Sequence, residues 1–136
     1  MVCSNSQANS VAVRNTPVIL DLPTTFTADS TGQIFNNPVT HSRAWVIKGG
    51  HDLETARRHL PPGSKKISIP GLTEAYLLAM EPTPTESGAK TLVGNLLGFS
   101  KTELWIVQLE IPLDSSKETV RKSNDLLRKV SFSEKP

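Results

Sequence analysis

The stretch Thr102-Glu103-Leu104-Trp105-Ile106-Val107-Gln108-Leu109-Glu110-Ile111-Pro112-Leu113 decides the fold. Trp105, Val107, Leu109, Ile111 and Leu113 fall on one side of an extended chain, with Gln108 and Glu110 on the other. Such alternation describes a strand with one buried and one wet face, which suits an antiparallel sheet.

Downstream, residues 116–130 read as a helix. Ser115 and Glu118 have capping-box spacing. Val120, Leu126, Leu127 and Val130 supply a thin apolar stripe, and Arg128 and Lys129 sit in the last turn, where cations complement the helix dipole. Upstream, Lys90–Phe99 reads as a strand in which Gly94 or Gly98 marks a bulge or bend. Glu74–Met80 has helix-forming residues but is short and bounded by prolines, and is taken as a strand. Pro82–Gly88 reads as a hairpin-like loop. Lys65–Ile69 and Arg43–Lys48 are further strands. Between them, Asp52 is placed to cap a short helix reaching Leu60, which Pro61-Pro62-Gly63 stops. Pro23–Asn37 is rich in Thr, Ser, Gly and Asn and reads as a long loop. Val11–Leu22, interrupted by Pro17, reads as a broken or edge strand.

The links between the strands from Lys65 to Leu113 are too short for parallel crossovers. The expectation is therefore α+β: one domain over residues 11–130, a mainly antiparallel twisted sheet of about five or six strands, one short internal helix and a C-terminal amphipathic helix. Residues 1–10 are expected as a disordered tail and 131–136 as a second tail.

The 136 residues fit one domain. Fifteen Lys and Arg against thirteen Asp and Glu give a net charge of +2, without the clustered basic excess of a dedicated nucleic-acid binder. The lone Cys3 cannot form an intrachain disulfide, which excludes disulfide-dependent scaffolds. Met1–Ser10 lacks the basic start and apolar run of a secretory signal, and the clean apolar run Leu104–Val107 falls far short of the ~20 residues of a membrane span. A cytoplasmic, intracellular protein is expected.

Three patterns bear on chemistry. The first is Lys48-Gly49-Gly50-His51-Asp52, a strand, a glycine pair and a helix start. Glycines admit a ligand close to the backbone, and first-turn amides favour anions. Gly49, Gly50, His51, Arg57 and Arg58 are the candidate anion-binding residues. Against this, Asp52 as a cap occupies the same amides, and no phosphate-loop spacing is present. The second is the C-terminal helix, whose Lys117, Arg121, Lys122, Arg128 and Lys129 are interspersed with Glu118 and Asp125. The third is the tail. Lys129-Val130-Ser131-Phe132 resembles the short docking motif by which regulators grip protein phosphatase 1, and Arg128-Lys129-Val130-Ser131 resembles a basophilic kinase site. That makes Lys129, Val130 and Phe132 candidate docking residues and Ser131 a candidate phosphorylation site.

No catalytic set, metal site or cofactor is expected. His51 and His59 are eight apart, with Thr55 between them, which is not the spacing of two ligands on one helix face. The leading functional expectation is a non-enzymatic protein-interaction or self-associating structural domain, its partner a protein or a second copy. The alternatives are a small enzyme or phosphate-ligand protein using Gly49-Gly50-His51, and nucleic-acid or anionic-membrane binding through the basic C-terminal helix.

Overall fold

The alternating stretch lies at the middle of a seven-stranded antiparallel sheet. The computed structural model describes residues 8–50 and 52–133. Among these, in chain order, are β1 (Ala8–Ala12), β2 (Val18–Pro23), β3 (Thr27–Ala28), β4 (Ile34–Asn37), β5 (Ser42–Gly49), α1 (Leu53–Arg58), β6 (Lys65–Ile67), β7 (Glu74–Pro84), β8 (Lys90–Phe99), β9 (Leu104–Ile111), α2 (Lys117–Arg128) and β10 (Ser131–Phe132). The large sheet has the order β3-β4-β5-β9-β8-β7-β6 and a smaller one the order β1-β2-β10. The protein is thus α+β and mainly antiparallel, as the alternation predicts.

Register explains the layers. On β9, Trp105, Val107, Leu109 and Ile111 are buried on one face. They align with Gly98, Leu96, Gly94 and Leu92 of β8. This face packs against Val18, Leu20 and Leu22 of β2 and Leu127 of α2, so the small sheet and α2 share one side of the large sheet. Fully burying an aliphatic side chain of this kind contributes roughly 1.5–3 kcal/mol. The opposite face carries Leu104 and Phe99, which pack with Ala56 of α1 in a second, smaller cluster.

Several expectations are corrected. There are ten strands among the described residues, in two sheets, rather than five or six in one. Val11–Leu22 is not one broken strand but a hairpin, with Pro17 in its turn and Asn15 at φ 65. Asparagine tolerates that left-handed conformation better than most residues. Pro23–Asn37 is not a long loop. Asp29 Oδ1 accepts from the Thr31 and Gly32 amides at 3.0 and 3.1 Å, which tightens the chain into the β3–β4 turn. The Thr31 hydroxyl and these local amides hold the Asp29 carboxyl below its ordinary value.

Pro82–Gly88 is also more regular than expected: β7 continues to Pro84, with the register shift in β7 between Leu78 and Glu81. Pro82 and Pro84 lie beyond the residues that pair with β6, at a free edge where a missing N–H costs no ladder bond. Gly94 and Gly98 mark close approach rather than a bulge. A Cβ on Gly94 would lie 3.2 Å from Leu127 Cδ1, and one on Gly98 2.9 Å from Phe132 Cζ. The cap of α2 is Ser116, accepting from the Thr119 amide at 3.1 Å, instead of Ser115. Strand residues extend past the expected domain limits at both ends, in β1 and β10.

Candidate functional site

Among the described residues around the Gly49-Gly50 turn, Lys48 and Arg57 are paired with carboxylates. A Cβ on Gly49 would collide with the Leu104 side chain, whereas Gly50 has open space around it. The glycine at 49 is therefore required by packing beneath the turn. Asp52 Oδ1 accepts from the Thr55 amide at 2.8 Å, using a first-turn donor of α1. Arg57 turns to the opposite face of the large sheet, where its Nε donates to Glu74 Oε1 at 3.2 Å and its Nη2 pairs with Glu74 Oε2. Arg57 and the Tyr76 hydroxyl hold the Glu74 carboxyl down at about 2, and the pairing raises the Arg57 guanidinium further above its ordinary range. Lys48 pairs with Glu103 at 3.1 Å, and Lys48 and the Trp105 indole N–H lower the Glu103 carboxyl. Arg58 is exposed on the last turn of α1. His51 and Cys3 lie outside the described residues.

The tail pattern is folded into the domain. Val130 and Phe132 belong to the main core, and Ser131 pairs with Ile19 of β2. The Lys129 amide closes the end of α2 on the Leu126 and Leu127 carbonyls. Docking through Val130 and Phe132, or enzymatic access to Ser131, requires β10 to leave β2 first. On α2, Arg121 and Lys122 pair with Glu118, and Arg121 and Arg128 with Asp125, so its surface alternates in sign.

Sequence reading missed a cleft of about 400 Å³ between α2 and the two sheets. Leu109 and Ile111 form its floor, at the end of β9. Pro23 and Phe26 close one side, and Leu126 the other. Its lining takes in Asn37, Thr40 and Ser42 at the β4–β5 turn and Thr119, Lys122 and Ser123 of α2. Asp125 lines the α2 wall as well, and Asp21 and Lys129 also line the cleft. From Thr119 to Lys129 the helix rises about 15 Å.

The polar groups of this cleft have definite partners. Asn37 Oδ1 accepts from the Val39 and Thr40 amides at 3.0 and 3.3 Å, and its Nδ2 donates to Thr25 Oγ1 at 2.8 Å. The Thr40 and Ser42 hydroxyls share one hydrogen bond. Ser123 Oγ donates to the Thr119 carbonyl at 2.9 Å.

Strand geometry adds a backbone feature. Val13 N–H donates to Val18 C=O, and Ser133 N–H to Pro17 C=O. Since the polar groups of an antiparallel strand alternate sides, Ile19 and Asp21 direct theirs toward β10. β10 pairs only with Val18 and Ile19. The Asp21 N–H and C=O therefore form a short free edge beside the cleft. None of this could be found from local spacing, because the lining comes from four separate parts of the chain.

Among the described residues no three His, Cys, Asp or Glu side chains gather closely enough to hold a metal ion, and no helix is long and apolar enough to cross a membrane. No protein-family model matches the sequence, and comparison with curated proteins returns no match.

Proposed function

We propose that this domain is a non-catalytic binding module whose ligand, a small amphipathic molecule, lies along α2 in the cleft over Leu109 and Ile111. One observation carries this reading: the buried polar side chains of the described residues, Asn37, Ser42 and Ser123, all line this one cleft. Buried polar groups cost stability unless satisfied, so their convergence at one concavity of an aliphatic core favours recognition there. The volume falls within the roughly 300–1,000 Å³ of small-molecule pockets. Among the described residues no histidine or cysteine lines the cleft, and Ser123 gives its proton to a backbone carbonyl instead of a base, which favours binding over nucleophilic chemistry.

The test is a fluorescence titration with anilinonaphthalenesulfonate, an aryl anion that brightens in apolar sites. Wild type is expected to bind saturably with one-to-one stoichiometry. Thr40→Trp, at an exposed rim position, is expected to fill the cleft and abolish the signal while the melting temperature holds. Saturable binding unchanged by Thr40→Trp would overturn the assignment, as would no binding to wild type.

A second reading is self-association of two copies through the other face of the large sheet. Ile47, near the middle of that face, is 44% exposed, and Ile34 and Trp45, paired across β4 and β5, are half-buried. Much of the same face is tied into polar rows. Trp45 Nε1 donates to Gln108 at 2.8 Å, Gln108 to Asn95 at 2.8 Å, and Arg43 pairs with Glu110 at 3.0 Å. A wet antiparallel face looks the same. Light scattering after size exclusion separates the two: a dimer dispersed by Ile47→Lys supports association, and a monomer at high concentration ends it.

A further inference from the structure

Resting on the cleft reading, we infer that the ligand is an amphipathic anion, a hydrocarbon chain or ring system with a carboxylate-type head, seated with its head at the β4–β5 turn beside Lys122. The hydrogen-bond inventory at that end points to an acceptor on the ligand. Asn37 Oδ1 is already filled by two backbone amides, but only one of its two Nδ2 protons is used, on Thr25. Thr40 and Ser42 share one bond between two hydroxyls, so one hydroxyl proton is left to donate. One amide proton of Asn37 and one hydroxyl proton of the Thr40–Ser42 pair are thus left to donate at the turn.

The charges agree. Four charged residues line the cleft: Asp21, Lys122, Asp125 and Lys129. Asp125 is held by Arg121 at 3.9 Å and Arg128 at 3.5 Å, which offsets its charge. Asp21 lies beyond the last β2 residues paired with β10, and Lys129 lies just before β10 begins. Both flank the segment where β2 and β10 pair, and their signs are opposite. That leaves Lys122 as the charge nearest the turn, one helical turn from Thr119 and beside Ser123. Its partner Glu118 stands 3.7 Å away, is shared with Arg121, and does not line the cleft. An anion at the turn would therefore meet an ammonium and neutral donors, while Pro23, Phe26 and Leu126 flank its apolar body.

The experiment is calorimetric titration of the full chain with decanoate, decanol and decyltrimethylammonium below their aggregation concentrations, with amide-shift mapping to place each ligand. Decanoate is expected to bind at least tenfold more tightly than the other two, shifting Asn37, Ser42 and Ser123. Lys122→Gln is expected to remove most of that preference, and Lys117→Gln, exposed on α2 outside the cleft lining, to leave it. Equal binding of all three in the cleft, or a preference for the cation, would overturn the anion assignment and leave the cleft standing. Failure of all three to bind would overturn both.

Discussion

The Gly49-Gly50 turn and the α2 cleft differ in how their polar side chains are used. At the turn three neighbouring charges are engaged within the fold, while Arg58 is exposed. Asp52 caps α1, Arg57 is held by Glu74, and Lys48 by Glu103. At the cleft, Asn37, Thr40 and Ser42 keep donors in reserve after their local bonds are made. A strand, a glycine pair and a helix start describe chain geometry. A site needs polar groups left over once the fold has been satisfied.

The contrast can be broken by substitution, beginning with the largest effect. Gly49→Ala places a methyl against Leu104, so overpacking should cost about 1–3 kcal/mol in urea unfolding. Gly50→Ala meets nothing and should stay within about 0.5 kcal/mol. Equal effects of the two would show that packing does not set the glycine at 49. Next, Asp52→Ala removes the cap of α1 and should cost about 1 kcal/mol, without creating phosphate affinity at the turn. Phosphate binding by that variant, followed by calorimetry, would revive the turn as a latent site.

A pH series sharpens the comparison on the α1 side. The Glu74 carboxyl lies at about 2, below its ordinary 4.5. A depressed carboxyl contributes stability that is present above the unfolded value and lost as pH falls through the folded one. Melting temperatures should therefore drop between about pH 4.5 and 2 in wild type, and Glu74→Gln should lack that component. A parallel decline in both proteins would remove the Arg57–Glu74 pair from the account. The smallest expected effect is Lys117→Gln, which should leave both stability and ligand preference near wild type.

Much of the fold was legible where a pattern was local. The alternation from Trp105 to Ile111, the Asp52 cap and the strand Lys90–Phe99 need only neighbours along the chain to be read. The small sheet was not legible as a whole, because β10 reaches the β1–β2 hairpin only through long-range pairing. Phe132 illustrates the difficulty. In sequence it ends a four-residue docking pattern, and in the fold it fills a space that Gly98 keeps open. Asn37 was lost in a stretch that looked like loop, yet its side chain organises the β4–β5 turn and lines the cleft.

The most direct test of the cleft over the turn is amide-shift mapping of the full chain titrated separately with decanoate and with inorganic phosphate. The account predicts saturable decanoate shifts at Asn37, Ser42 and Ser123, with Gly49 and Gly50 unmoved by either titrant. Saturable phosphate shifts at Gly49 and Gly50, with the residues along α2 silent to decanoate, would contradict it.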